Sequence, residues 1–323
     1  MIEYKKLLNK EQYQVVTESD GPCLVLAGAG SGKTRTLVFR VAYLVECGIK
    51  PESILLVTFT NRAANEMLAR VENLLGFNPD HLWGGTFHRI ANRVLRKYAD
   101  KLDYNRNFNI LDQADSISLV KAAMEELALN VKGQNFPKAS IVQGMISYSR
   151  NTNQDIREVV EVYYSYPDFI AEKCEEIAFI YNKKKKVANV MDFDDLLVNW
   201  LRLLEQFPDI KERFAKQFEY ILVDEYQDTN YIQAEIIRHL SSFHNNVLVV
   251  GDDSQSIYSF RAADVKNILN FPKLFAKTKI YKIETNYRST PQILDLANNS
   301  IEHNVDQFQK ALKPNRGDNI LPT

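Results

Sequence analysis

Residues 23–34 read CLVLAGAGSGKT, an apolar run followed by a glycine-rich stretch that ends in Lys33 and Thr34. The run predicts a buried β-strand, and the apolar spacing that follows predicts a helix from Lys33 to Glu46. A strand, a glycine-rich turn and a helix in this order are typical of a P-loop, whose backbone N–H groups converge on phosphate oxygens. Ala27 stands where the strict pattern has glycine, but at the strand end it leaves the loop intact. The predicted phosphate-binding residues are Ala29, Gly30, Ser31, Gly32, Lys33 and Thr34.

The loop needs partners for its chemistry. Lys33 is predicted to place a cation on the terminal phosphates, and the hydroxyl of Thr34 to bind Mg²⁺. A neighbouring strand should supply a carboxylate, and the apolar run 220–223 ends in Asp224 and Glu225. We expect Asp224 to hold Mg²⁺ through its outer shell and Glu225 to accept a proton from the attacking water. Two acids after a strand are also a common loop start, but with the P-loop they predict hydrolysis of a nucleoside triphosphate.

Further strands and helices alternate on both sides of a helical region. Strands are predicted at 54–58, 220–223, 247–250 and 279–283, with helices at about 62–75 and 231–240. This order predicts an α/β domain with a parallel sheet. Strand signals nearly vanish from 104 to 190, where Asp112 is a candidate N-cap and 163–186 has helical spacing. We therefore predict a helical insertion, with the run Lys183–Lys186 as a solvated helix end.

Composition limits the class of protein. The 323 residues are 45% hydrophobic and 25% charged, which is ordinary for globular chains of about two domains. With 40 Lys and Arg against 41 Asp and Glu, bulk charge does not favour nucleic acid, so any polyanion must meet a local patch. The three cysteines, Cys23, Cys47 and Cys174, form no ligand pattern or disulfide framework. A reducing cytoplasm is the expected location.

Seven ordered motifs resemble those of the UvrD/PcrA/Rep group of superfamily 1 DNA helicases. They are LNKEQ at 8–12, AGAGSGKT at 27–34, VTFTNRAA at 57–64, GTFH at 85–88, VDEYQDTN at 223–230, VGDDSQSIY at 250–258 and NYRST at 286–290. The resemblance implies a RecA-like P-loop parallel sheet with an inserted all-helical subdomain. It also implies ATP and Mg²⁺ as cofactors, 3′-to-5′ translocation on single-stranded DNA and unwinding at junctions with duplex. Accessory repair or replication proteins are possible partners.

The resemblance assigns roles at the nucleotide. In the family, the glutamine at Gln12 selects ATP, which fits the ability of a Gln amide to pair with the adenine edge. Arg35 and Tyr287 would sandwich the base by stacking and cation–π attraction. Gln255 would sense the γ-phosphate, and Arg288 would also lie there.

Aromatic and basic residues near the motifs predict a track for DNA. Arg89, Arg93 and Lys97 share one helix face, although an ordinary solvated basic face gives the same pattern. Flat side chains can stack on unpaired bases, while Phe59 and Phe87 are equally compatible with the core. The family often has Trp at the position of Phe260 and a small residue at that of Arg89. The predicted DNA-binding residues are Phe59, Thr60, Asn61, Thr86, Phe87, His88, Arg93, Tyr258, Phe260 and Arg261.

The expected domains are a RecA-like domain at 1–103 and 191–288, the insertion at 104–190, and the truncated start of a second RecA-like domain or linker at 289–323. Late motifs, including an arginine for the γ-phosphate, are expected to lie outside the 323 residues, and the tail from Lys310 is predicted to be loosely ordered. The helicase subunit of a helicase–nuclease and a P-loop switch that binds nucleic acid without unwinding remain alternatives. A small-molecule kinase is disfavoured, because it leaves the aromatic motifs unexplained.

Overall fold

The fold is described from a computed structural model that covers residues 2–79, 81–128 and 136–315, without the side chain of Arg261. The chain divides into two compact units. The sheet unit comprises Met1–Phe87, Asp209–Thr229 and Ile237–Thr323, and the helical unit comprises His88–Pro208 and Asn230–Ile236. The predicted insertion at 104–190 falls inside the helical unit, and the predicted domain boundaries stay a prediction.

The strands of the described residues are β1 (Cys23–Ala27), β2 (Ile54–Thr58), β3 (Trp83–Thr86), β4 (Asn109–Ile110), β5 (Val190–Met191), β6 (Tyr220–Val223), β7 (Val247–Gly251), β8 (Lys279–Ile283), β9 (Thr285–Asn286) and β10 (Lys313–Pro314). Six of them form one sheet in the order β3-β2-β6-β7-β1-β8. Every pair in this sheet is parallel, as predicted. Parallel strands bury both faces, which explains why β1, β2 and β7 are buried along their whole length.

The α-helices of the same residues are α1 (Tyr4–Leu7), α2 (Lys10–Glu18), α3 (Lys33–Glu46), α4 (Asn61–Leu75), α5 (Phe87–Tyr98), α6 (Gln113–Glu126), α7 (Ala139–Thr152), α8 (Ile156–Glu158), α9 (Asp168–Val187), α10 (Phe193–Gln206), α11 (Pro208–Gln217), α12 (Tyr231–Leu240), α13 (Lys266–Leu274) and α14 (Pro291–Glu302). Local signals fix several ends. Thr60 accepts the N–H of Ala63 at 3.1 Å to begin α4, and Gly76 ends it in the left-handed conformation. Within the described residues, none of the helices combines the length and apolarity needed to cross a membrane.

The sheet order corrects one expectation. The strand that ends in Asp224 was predicted to neighbour the P-loop strand, but β7 lies between β6 and β1. Strands are spaced by about 4.8 Å, so side chains of α3 must span two strand spacings to meet Asp224 and Glu225. The loop after β7 therefore lies between the P-loop, which follows β1, and the acidic pair Asp224 and Glu225, which follows β6.

The helical unit has its own core, which includes Val120, Met145, Ile170 and Ile177. Asp112 caps α6 as predicted, accepting the N–H of Asp115 at 2.8 Å. The helix predicted from residue 163 is wrong at its start, because a π-helical turn ends at Tyr163 and α9 begins only after Pro167. The short strands β4 and β5 pair in parallel within this unit.

The lysine run Lys183–Lys186 is only partly solvated, which corrects the prediction. The side chain of Lys185 is 1% exposed, and its Nζ lies 2.6 Å from carboxylate oxygens of both Asp192 and Asp195. Arg150 joins the same two acids at 3.3 and 3.0 Å. Burial alone would raise the pKa of Asp192, but Lys185 and Arg150 outweigh it and lower the pKa to about 2. We call Arg150, Lys185, Asp192 and Asp195 the buried charge cluster.

The prediction of a loose tail is wrong for the described residues 310–315. Backbone N–H groups of Lys313 and Asn315 donate to Glu284 and Asn286 at 2.8 Å. Leu312 packs on the P-loop, since a Cβ on Gly28 would lie 2.6 Å from its Cδ2. The remainder of the predicted tail, 316–323, lies outside the described residues.

Candidate functional site

The P-loop joins β1 to α3 through two residues in left-handed conformations. Gly30 and Gly32 have φ of +78° and +89°, which L side chains rarely adopt. A Cβ on Gly30 would also collide with Arg288. Ser31 is buried and donates its hydroxyl to the Gly28 carbonyl at 2.7 Å. The glycines therefore keep the turn tight where α3 begins, the arrangement that presents N–H groups to an anion.

Two side chains hold this loop from outside. Gln12 is buried, and its Nε2 donates to the Ser31 carbonyl at 2.9 Å while its Oε1 accepts the N–H of Asn9 at 3.4 Å. Its role in adenine selection stays a prediction. Asn286 donates to the Ala29 carbonyl at 2.6 Å, and its Oδ1 accepts the N–H of Arg288 at 2.8 Å. Asn286 begins the motif NYRST, but its position in the sequence does not indicate that it holds the P-loop.

The predicted catalytic side chains meet beside the loop. Nζ of Lys33 lies 3.3 Å from Oε2 of Glu225, and Oγ1 of Thr34 donates to Oδ2 of Asp224 at 3.3 Å. Burial, reinforced by the charge of Glu225, raises the pKa of Asp224 to about 7, while Lys33 opposes the shift. A hydroxyl and a carboxylate are the hard oxygen donors that Mg²⁺ prefers, and Mg²⁺ takes its other ligands from phosphates and water. Thr34 and Asp224 therefore fit a magnesium site.

Glu225 is positioned by a residue that the sequence did not single out. Gln227 is buried, and its Nε2 donates to Oε2 of Glu225 at 2.9 Å and to Asp228 at 3.3 Å. Its Oε1 accepts the N–H of Asp252 at 3.0 Å. Burial and the charge of Glu225 raise the pKa of Asp228 to about 6. Gln227 thus joins the loop after β6 to the loop after β7.

Glycines of the P-loop, Lys33 and Glu225 line a cavity of about 600 Å³. Arg35 reaches its rim and donates to the Leu7 carbonyl at 2.8 Å, while Tyr287 accepts from Asn9 at 2.8 Å. Most of the predicted nucleotide residues therefore share one cavity, and each role stays a prediction. The predicted nucleotide residues that line it are Ala29, Gly30, Gly32, Lys33, Thr34, Arg35, Glu225, Gln255, Tyr287 and Arg288.

Three aromatic rings form a row beside this cavity. Phe59 and Tyr258 stack at 5.5 Å between ring centroids, and Tyr258 lies 5.9 Å from Phe260. Phe260 is 71% exposed, and an exposed aromatic side chain can stack on an unpaired base. A second cavity, of about 490 Å³, has Phe59 and Tyr258 on its wall together with Thr34 and Glu225. We call Phe59, Tyr258 and Phe260 the aromatic row.

The other predicted DNA-binding residues differ in their exposure to solvent. Thr60 and Asn61 are exposed at the start of α4, and Thr86 donates to Asn61 at 3.4 Å. Phe87 is 4% exposed, so its ring is part of the core and offers no face to a base in this structure. The side chain of Arg261 lies outside the description.

The basic face predicted on α5 is confirmed in the helical unit. Arg89, Arg93 and Lys97 are exposed, while Ile90 and Val94 are buried. Partial burial lowers the pKa of Arg93, and the neighbouring cation of Arg89 lowers it further. Burial also lowers the pKa of His88, whose ring packs on Phe193 at 6.0 Å.

Comparison with known proteins identifies the family of the chain. Residues 8–276 match the family model described as the UvrD/REP helicase N-terminal domain. The chain belongs to the UvrD/REP helicase family. The resemblance drawn from the motifs is thereby confirmed, and the RecA-like α/β class with it. The matched range includes the P-loop, Asp224, Glu225 and the aromatic row, whereas Tyr287 and Arg288 lie beyond it.

Three similar curated proteins share the name ATP-dependent DNA helicase PcrA. ATP-dependent DNA helicase PcrA of Bacillus subtilis is 42% identical over 306 residues, which cover 94% of this chain and 41% of that protein. PcrA of Staphylococcus epidermidis is 39% identical over 308 residues, covering 95% and 41%. PcrA of Staphylococcus aureus is 38% identical over 306 residues, covering 94% and 41%. The chain thus spans about two fifths of the length of these relatives.

Proposed function

We propose that this chain binds Mg-ATP in the P-loop cavity and forms part of an ATP-dependent DNA helicase motor. The observation that carries the proposal is the pairing of Lys33 with Glu225 and of Thr34 with Asp224, each at 3.3 Å, beside one cavity. The similar proteins named ATP-dependent DNA helicase PcrA support a helicase activity driven by ATP. We further propose that the motor moves 3′-to-5′ on single-stranded DNA and unwinds duplex at junctions.

The chemistry follows from the chain's own groups. Lys33 binds the terminal phosphates, and Glu225, held by Gln227, accepts a proton from the attacking water. Thr34 and Asp224 would hold Mg²⁺, which when bound neutralises charge on the phosphate oxygens. When ATP binds, Lys33 exchanges its contact with Glu225 for the terminal phosphates. The carboxylate of Glu225 can then accept the proton of the attacking water. Gln255 and Arg288 line the same cavity and would contact the γ-phosphate.

The aromatic row supplies the DNA side of the proposal. Stacking on unpaired bases is tolerant of sequence, which suits a motor that must pass any base. Glu225 and Tyr258 both line the second cavity, so a base on the aromatic row would lie close to the catalytic loops. We also propose, from cysteine usage and the family, a cytoplasmic protein with repair or replication partners.

Two alternatives remain open to experiment. A helicase–nuclease would carry a nuclease module in the full-length protein, and reading the whole gene would reveal it. A P-loop switch would bind ATP and DNA without separating strands. Strand separation by the full-length protein would exclude the switch.

The Lys33→Ala variant is expected to bind Mg-ATP at least about tenfold more weakly, with the fold intact. Lys33 is the mobile cation for the terminal phosphates, and a tenfold loss corresponds to about 1.4 kcal/mol. Calorimetric titration measures the change. The matched control is Lys50→Ala, an exposed lysine of the sheet unit, which should keep wild-type affinity. Unchanged affinity in Lys33→Ala would contradict the proposed site.

Binding to single-stranded DNA should be weak, salt-sensitive and reduced by either Phe59→Ala or Arg93→Glu. Stacking on an aromatic contributes about 1 to 3 kcal/mol per base, and each lost cation also weakens the salt dependence. Fluorescence anisotropy with labelled oligo-dT at low salt measures both effects. The controls are Phe77→Ala, an exposed ring outside the aromatic row, and Lys121→Glu on α6. Equal affinity for DNA in the wild type, the two test variants and the two controls would contradict the proposed DNA track.

A further inference from the structure

Lys310 is a buried lysine in the segment before β10. Its side chain is 4% exposed, and its Nζ lies 2.7 Å from Oδ1 of Asp252 and 2.5 Å from Oδ1 of Asp253. It also donates to the hydroxyl of Ser254 at 3.1 Å. These three contacts use the three donors of the ammonium group. The cation is therefore fixed on the loop that follows β7.

The same loop carries Gln255 into the P-loop cavity. Nε2 of Gln255 donates to Oδ2 of Asp252, the carboxylate whose other oxygen accepts from Lys310. Gln255 lines the cavity together with Lys33, Glu225 and Arg288. An amide nitrogen has two N–H donors, so one remains for a phosphate oxygen. One carboxylate thus links Lys310 to a residue on the wall of the nucleotide cavity.

The segment that carries Lys310 is anchored on both sides of it. The N–H of Phe308 donates to Oδ2 of Asp253 at 3.1 Å, and Leu312 packs on Gly28. Lys313 and Pro314 pair with β9. Since Leu312 and β10 hold the backbone independently of Asp252 and Asp253, removal of the ammonium group chiefly affects these two carboxylates. The two buried carboxylates would then repel each other and lose their common partner.

We propose that Lys310 is a positioning residue for the γ-phosphate: it fixes Asp252, and through Asp252 the amide of Gln255. The inference rests on the proposed binding of ATP in this cavity. A fixed amide donor adds to the affinity for ATP but has no partner on ADP, which lacks the γ-phosphate. Lys310 therefore sets the preference of the site for ATP over ADP without touching either nucleotide.

The test is calorimetric titration of the 323-residue chain with Mg-ADP and with Mg and a slowly hydrolysed ATP analogue. We expect Lys310→Met to lower the ratio of ATP-analogue to ADP affinity at least about tenfold, the lower limit for one hydrogen bond to a charged group. The affinity for ADP should stay within about twofold. In a Gln255→Ala background, Lys310→Met should change the ratio no further, because both substitutions remove the same contact.

Two further variants sharpen the result. Lys313→Met is the matched control, since this lysine lies in the same segment but is 69% exposed and pairs with Glu284; its ratio should equal that of wild type. Asp252→Asn keeps the size of the linking side chain and removes its charge. It should therefore lower the ratio of ATP-analogue to ADP affinity even if Lys310→Met fails to fold.

The outcomes separate this inference from the proposed function. Equal loss of both affinities in Lys310→Met, or an unchanged ratio in Asp252→Asn, would overturn the positioning role while leaving ATP binding in place. An additive effect in the Gln255→Ala background would also overturn it, as would equal affinities of wild type for both nucleotides. A wild-type chain that binds neither nucleotide would overturn both proposals.

Discussion

The 323-residue chain should release phosphate from ATP at least about a hundredfold more slowly than a full-length relative such as PcrA. An arginine supplied from a facing domain is typically worth about 10³ to 10⁵ in rate, or roughly 4 to 7 kcal/mol. The family resemblance assigns that arginine to late motifs expected outside the 323 residues, and the chain spans about two fifths of the length of its PcrA relatives. Lys33, Thr34, Asp224 and Arg288 remain, so binding should persist while the transition state loses charge stabilisation.

Steady-state phosphate release, with and without oligo-dT, measures this difference. Single-stranded DNA should scarcely accelerate the chain, because stimulation needs two domains to close over the nucleotide. The control is Glu225→Gln, which should abolish the residual rate if that rate comes from this site. A chain as fast as the full-length relative, or one strongly stimulated by DNA, would show that catalysis does not depend on a second domain.

Replacing Lys185 with methionine should destabilise the helical unit by about 3 to 5 kcal/mol, the usual result of removing one partner from a buried ion pair. Lys185 is 1% exposed and lies 2.6 Å from both Asp192 and Asp195. Methionine fills the volume but leaves Arg150 as the one cation of the buried charge cluster, beside two carboxylates. Urea unfolding followed by circular dichroism measures the loss.

The neighbouring Lys184→Met is the matched control, since Lys184 is 31% exposed and pairs with Glu126 near the surface. It should change stability by less than about 1 kcal/mol. The pKa of Asp192 is lowered from 3.8 to about 2 in the fold, so its contribution is present above pH 4 and lost as the pH falls toward 2. The difference between wild type and Lys185→Met should shrink over that range. A constant difference would contradict the charge mechanism.

Local sequence signals were sufficient for most of the sheet. Val, Leu and Ile dominate β1, β2 and β7, so their apolar runs predicted buried strands directly. By contrast, β3 consists of Trp83, Gly84, Gly85 and Thr86, and two glycines give no strand signal. A Cβ at Gly84 would require the Leu68 side chain of α4 to shift, so glycine favours the observed packing of α4 on β3. Such a requirement comes from packing between elements, which no local pattern encodes.

The candidate site shows the same division. Its glycines, Lys33 and the acids at 224 and 225 form recognisable patterns, because phosphate chemistry demands them at fixed spacing. Asn286 and Lys310 act through partners distant in sequence, and Gln227 connects its neighbour Glu225 to the distant Asp252. Each is an ordinary polar residue within its own segment. Lys185 was misread for the same reason, since its acids become neighbours only when α9 and α10 pack.

The order of the strands in the sheet also determines when they can pair during translation. β1 pairs with β7 and β8, so the strand made first in the sheet finds both neighbours only after residues 247–251 and 279–283 have left the ribosome. At about 5 to 20 residues per second, the apolar run CLVLA waits roughly 10 to 45 seconds for its first neighbour. During that interval the nascent chain presents a short apolar segment to chaperones, and the phosphate loop attached to it has no rigid support from which to acquire its shape.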